Sequence, residues 1–139
     1  MFTSFGYFPT DEEDAAVLAA AFRSLRPGGR LLIDTIAREK TMRDLVPEEI
    51  REKDGIRSHV RRTITADGLR VEKVTEIADG DGPKLRRESV RLYAPEELGE
   101  MFSRAGFVDV ALYGSLGGEL PSPDSPRLVV VGARPQEEG

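Results

Sequence analysis

The chain has 139 residues, 39% hydrophobic and 32% charged, which fits one globular domain and excludes a disordered segment. Its 25 acids outnumber its 20 bases for a net charge of −5, which argues against nucleic-acid binding, since neutralising phosphates needs a basic surface. The absence of cysteine excludes disulfides, thiolate metal sites and cysteine nucleophiles, and no apolar run approaches the roughly 20 residues of a membrane helix.

The first residues lack the basic flank and long apolar core of a signal peptide, so the chain is expected to be cytoplasmic. Thr10-Asp11-Glu12-Glu13 reads as a capping box, with Thr10 at the N-cap and Glu13 three residues on. Ala15, Leu18, Phe22 and Leu25 then recur at helical spacing, which predicts a helix over 11–25. Pro27-Gly28-Gly29 stops it. The apolar run after it, residues 30–35, fits a strand covered on both faces.

From about Asp54 to Tyr93 the pattern alternates, with turn signals at Asp67-Gly68 and Asp79-Gly80-Asp81-Gly82. Three antiparallel strands are expected near 57–65, 69–78 and 84–92. The pairs Arg61–Arg62 and Arg86–Arg87 read as solvated faces. The stretch after Asp79 lacks alternate ligands and a distal glutamate, so no metal is expected there or elsewhere. Pro95 opens a second helix with Leu98, Met101, Phe102 and Ala105 on its apolar face, and Gly106 ends it. A strand at 107–113, a loop rich in Gly, Pro and Ser at 114–126, and a strand at 127–133 complete the chain.

Two stretches resemble class I S-adenosylmethionine-dependent methyltransferases. Leu25 to Asp34 (LRPGGRLLID) is similar to the segment joining that family's helix after the fourth strand to its fifth strand. Tyr93 to Phe107 (YAPEELGEMFSRAGF) is similar to the helix and sixth strand near its C-terminus. Phe2 to Phe8 resembles the loop after the fourth strand in a bacterial branch acting on small molecules. Gly114-Ser115 and Ser122 to Arg127 resemble that branch too.

The resemblance implies an α/β fold: a partial Rossmann-like methyltransferase sheet holding the last three strands of the order 3-2-1-4-5-7-6. The final strand is antiparallel, and a β-meander is inserted at 54–93 within a single domain over 1–139. It implies S-adenosylmethionine as cofactor and methyl transfer to an unknown small molecule. The glycine-rich loop that grips the cofactor is missing, because no G-x-G stands between a strand and a helix. Gly28-Gly29 follows a helix, Gly117-Gly118 precedes none, and Asp34 would end the fifth strand, so it is not given the ribose-binding role of the second. The chain is therefore expected to be the C-terminal half of the fold, inactive and without cofactor affinity by itself. The alternatives are a non-catalytic dimeric remnant and a complementing subunit that supplies the substrate-side half.

By the resemblance, Thr3, Ser4, Phe5 and Tyr7 lie at the carboxyl ends of the strands, where they would touch cofactor or substrate; the competing reading is an unanchored N-terminal arm. His59, Tyr93 and Tyr113 are substrate-side candidates, against a surface role for the histidine and packing roles for the tyrosines. No catalytic residue is assigned. Methyl transfer needs little beyond alignment of the partners, so an absent base is compatible with it. The open edge of strand 30–35, or the apolar face of helix 11–25, is expected to recruit a second copy as a homodimer or domain-swapped pair, with no membrane or nucleic-acid partner.

Overall fold

The computed structural model describes residues 2–5, 10–80 and 82–136. In chain order the elements are β1 (Phe2–Ser4), α1 (Asp11–Ser24), β2 (Arg30–Ile36), α2 (Arg38–Arg43), β3 (Glu48–Lys53), β4 (Ile56–Ile64), β5 (Arg70–Asp79), β6 (Gly82–Arg91), α3 (Pro95–Arg104), β7 (Val108–Tyr113) and β8 (Arg127–Ala133). They build two four-stranded sheets, β1-β2-β8-β7 and β3-β4-β5-β6. No helix among the described residues is long and apolar enough to cross a membrane.

In the first sheet β1 and β2 are parallel, and β8 runs antiparallel to both β2 and β7. Leu31, Ile33 and Thr35 alternate along β2, and the register puts them on one face with Leu128 and Val130 of β8. Leu18 and Ala21 of α1, Leu98 and Phe102 of α3, and Phe107 close over the apolar members of that face as the core. Phe22 meets Phe107 edge-on at 5.2 Å between ring centres, and Phe102 packs on Phe107 at 5.1 Å. The opposite face of β2, with Leu32, Asp34 and Ile36, is only half-buried. The expected cover on both faces is thus corrected to one, because α1 and α3 both pack on the same side.

Both helix starts follow their local chemistry. Thr10 Oγ1 accepts from the Glu13 amide at 3.2 Å, and Glu97 reaches back to accept from the Ala94 amide at 2.9 Å. The buried stripe of α1 differs from the expected one. Asp14, Leu18 and Ala21 are buried while Ala15 is exposed, so an aspartate occupies the core position one turn before Leu18.

Three further expectations are corrected. Residues 2–4 form a strand and not a loop, and the edge of β2 is covered where Phe2, Thr3 and Ser4 lie opposite Leu32, Ile33 and Asp34. The reason is that a buried strand edge presents unpaired N–H and C=O groups, which the N-terminal segment satisfies. The first sheet therefore has four strands in place of three. The meander likewise has four strands: β3 adds an edge before the expected start, joined to β4 by Asp54 and Gly55 at φ 54° and 77°. Left-handed conformations at both residues of a two-residue loop are what the twist of a hairpin favours.

Candidate functional site

The end of β6, the start of α1 and the start of α3 converge on a buried polar junction. Tyr93 is 1% exposed, its ring lies 5.6 Å from that of Phe5, and its hydroxyl donates to Asp14 Oδ2 at 2.5 Å. Asp14 is fully buried, and its Oδ1 has no partner among the described residues. Burial raises the Asp14 carboxyl above its usual range, opposed by the hydrogen bond from Tyr93. Burial and then the same hydrogen bond raise the Tyr93 phenol. Beside them Arg91, itself 4% exposed, donates to Asp11 Oδ1 and Glu97 Oε2, both at 3.0 Å, with its guanidinium 4.5 Å from the centre of the Tyr93 ring. This junction ties α1, the meander and α3 together. Asp14, Tyr93 and Arg91 are buried, while Asp11 and Glu97 reach the open groove between α1 and α3.

The carboxyl ends of β1, β2 and β7 share one end of the first sheet, where open α/β sheets bind ligands. There Thr35 donates to the Phe5 carbonyl at 3.4 Å, fixing the exit of β1 against β2. Arg127 Nε donates to Asp34 Oδ1 at 2.8 Å across β2 and β8. Arg38 donates to the Leu92 carbonyl at 3.1 Å, and Arg43 of α2 holds Asp124 of the 114–126 loop at 2.7 Å. Between these groups lies a crevice of about 30 Å³ touching Ala37, Arg38, Tyr93, Ser122, Ser125 and Arg127. Such a crevice holds roughly one water and no substrate. An open hollow of about 400 Å³ lies in the 114–126 loop, over Gly114, Ser115, Glu119 and Ser122. Another of about 460 Å³ runs between α2 and β3, with Lys40, Glu49, Arg51 and Arg62 on its walls. None of these three hollows among the described residues is an enclosed, substrate-sized pocket.

No family model matches the chain, and no curated protein does. Solved structures do. The CcbJ methyltransferase from Streptomyces caelestis superposes with a TM-score of 0.75 at 16% identity, over 98% of this chain and 56% of its own. An S-adenosylmethionine-dependent methyltransferase from Clostridium acetobutylicum gives 0.76 at 14% identity, over 96% and 57%. The sugar N-methyltransferase KedS8 from Streptoalloteichus gives 0.63 at 20% identity, over 94% and 52%.

This is the fold of S-adenosylmethionine-dependent methyltransferases.

The chain spans a little over half the length of these structures. With 98% of the chain covered, the four-stranded meander lies within the methyltransferase likeness and is not an addition to it.

The cofactor cradle of the methyltransferase fold is not formed by the glycines described. Gly28, at φ 79°, donates its amide to the Arg134 carbonyl at 2.9 Å, and the Gly29 carbonyl accepts from the Arg134 amide at 2.8 Å. Both are thereby tied to the end of β8. Gly117 and Gly118 sit in a surface loop with no helix after them among the described residues.

The sequence candidates fall in separate places. Thr3 and Ser4 lie on β1, and Phe5 at its exit is 1% exposed and part of the core. Tyr7 lies outside the described residues. Tyr113 ends β7, half-buried, at the carboxyl end of the sheet. His59 lies on β4 in the second sheet, its Nε2 2.6 Å from Glu48 Oε1. Tyr93 is in the buried polar junction. Only Thr3, Ser4, Phe5 and Tyr113 share the sheet's carboxyl end. Sequence reasoning missed Asp14 and Arg91. For Asp14 the signal was present, since position 14 falls in phase with Leu18 and Phe22.

Proposed function

We propose that this chain is the substrate-side, C-terminal half of a class I S-adenosylmethionine-dependent methyltransferase acting on a small molecule. The observation that carries the reading is the strand order β1-β2-β8-β7, with β8 alone antiparallel. It corresponds to strands 4-5-7-6 of the family order 3-2-1-4-5-7-6, with the meander between the fifth strand and the following helix. Support for a small-molecule acceptor comes from neighbours such as KedS8, a sugar N-methyltransferase, and CalS10, an amino pentose methyltransferase that superposes at a TM-score of 0.55.

The residues described do not fit the cofactor, because the amide of Gly28 and the carbonyl of Gly29 are already used. No step of methyl transfer is therefore assigned to this chain. Its role is to wall the acceptor side at the carboxyl end, through β1, Tyr113 and the 114–126 loop. The half-buried face of β2 supports the same reading, and equally a complementing subunit whose other half is a separate polypeptide.

Isothermal titration tests this. The chain alone should give no saturable heat with S-adenosylmethionine at ~100 µM, a concentration that half-fills a site of Kd about 100 µM. The same chain extended by the reading frame upstream of Met1, or mixed with a polypeptide carrying the strand–G-x-G–helix unit, should bind one equivalent. A one-to-one isotherm with the chain alone refutes the half-fold reading.

A further inference from the structure

The core of the first sheet takes the Asp14, Leu18 and Ala21 side of α1. Glu12, Ala16, Ala19 and Arg23, spaced four, three and four apart, form a stripe on the opposite side of the same helix. Glu12, Ala16 and Arg23 are exposed and Ala19 is half-buried. The stripe is symmetric in sequence about the midpoint between residues 17 and 18: Glu12 mirrors Arg23, and Ala16 mirrors Ala19.

We propose that two copies of this chain associate through antiparallel α1 helices about a twofold axis. Ala16 of each copy then packs on Ala19 of the other, and Glu12 of each pairs with Arg23 of the other. The charge order is what selects a second copy as the occupant. An isologous contact requires a surface complementary to itself, and an acid and a base at mirrored positions flanking a neutral centre supply that. Within one chain the two charges cannot meet, being 11 positions apart or about 16 Å along the helix. Neither forms an ion pair among the described residues. An alanine centre lets the two helices approach to the short end of the 8–10 Å interaxial range. Along one flank of the stripe an open groove of about 460 Å³ runs between α1 and α3, with Ala15, Ala19, Met101 and Ala105 flanked by charged residues of α1, β6 and α3, Arg91 and Glu100 among them. It seats the side chains that a second α1 brings over the first.

This surface differs from both expected from the sequence. The apolar face of α1 is consumed by the core, and β1 covers the centre of the β2 edge. What remains on α1 is the small-residue face.

Sedimentation equilibrium on the full 139-residue chain at low salt tests the pairing. The chain should populate a monomer–dimer equilibrium that salt weakens. E12R and R23E should each weaken dimerisation about tenfold or more, since each substitution acts twice across the axis and turns attraction into repulsion. The double variant E12R/R23E should recover the dimer, because the reversed charges again face each other. It also puts the wrong sign at both ends of α1, so its Tm should fall while its dimerisation returns, which separates association from folding. A chain that stays monomeric at ~1 mM, the weak limit of specific association, overturns the proposal. So does a dimer indifferent to both single reversals, or a double variant that does not recover. The readout is independent of cofactor binding, so its failure leaves the methyltransferase reading untouched.

Discussion

Tyr93→Phe removes one oxygen from the buried junction and changes almost nothing else. The ring stays against Phe5, but Asp14 Oδ2 loses the hydroxyl that donates to it at 2.5 Å. Asp14 Oδ1 already lacks a partner among the described residues, so the carboxyl is left without a donor there. Losing a hydrogen bond to a charged, fully buried group costs about 1.5–3 kcal/mol. For a chain of this size that lowers Tm by roughly 5–9 °C. The deficit should depend on pH with a definite sign. Burial raises the Asp14 carboxyl above its usual range, opposed by the Tyr93 hydrogen bond; the Asp11 charge raises it further, and Arg70 and Arg91 lower it. The folded state therefore holds that proton more tightly than the unfolded state. The favourable contribution is complete below the unfolded value and is lost as pH rises through the folded one. Without the phenol the carboxyl rises further, so the Tyr93→Phe deficit should be largest at neutral pH and shrink in acid. Urea denaturation at a series of pH values measures this through the midpoint at constant m. The same substitution in an Asp14→Asn background should show no such trend. A deficit below about 0.5 kcal/mol at pH 7, the range of a neutral surface change, would refute the reasoning, as would one that grows on acidification.

Two glycines make sharper steric predictions. A Cβ at Gly132 of β8 would stand 2.7 Å from Phe102 Cδ2 and 3.0 Å from Phe107 Cβ, and Phe102 is fully buried. Gly132→Ala should therefore cost about 1–3 kcal/mol, read as a lower urea midpoint, and Phe102→Leu in the same chain should recover part of the loss. Gly106 ends α3 at φ 104°, with Phe22 Cζ 3.0 Å from an added Cβ. Gly106→Ala should cost at least 1 kcal/mol by calorimetry.

The sequence was legible where local chemistry and burial agree. The Thr10 cap, the Pro95 start and the apolar runs of β2 and β8 each state their own structure. It was illegible where tertiary context decides. Glu48–Lys53 carries a single apolar residue, Ile50, and that residue is 55% exposed, so no alternation marks β3. Its only signal is the Asp54-Gly55 turn. Phe2–Ser4 is a strand because β2 offers it an edge, a cause that lies some 30 residues away in the chain. Asp14 was passed over in favour of Ala15 because an aspartate on a core face contradicts hydrophobic patterning unless a partner such as Tyr93 is foreseen. Of the candidate site, the resemblance placed Thr3, Ser4, Phe5 and Tyr7 at the carboxyl ends of the strands, and Tyr113 was chosen for its place near a strand end. Nothing local could separate Tyr93, which the fold commits to a buried junction.

The second face of the first sheet discriminates between a half of a larger fold and a remnant adapted to stand alone. Strands of a parallel or mixed sheet covered on both sides are apolar on both sides, whereas a sheet with one solvated face alternates apolar and polar. On β2 the half-buried positions of this face are Leu32, Asp34 and Ile36, and on β8 Val131, while Val129 beside them is already buried. Asp34 is the only acid among them, and Arg127 answers it at 2.8 Å. Apolar surface withheld from water contributes about 25 cal/mol per Å², so a chain selected to fold alone gains nothing from leucine, isoleucine and valine at half-exposed sites. A chain whose sheet is completed by further helices and strands gains from all of them. The residue types on this face are thus those of a covered sheet, while their exposure is that of an uncovered one. On the half-fold reading proposed above, one partner segment would both bring the cofactor loop and close this face of the sheet, so the two features are a single prediction.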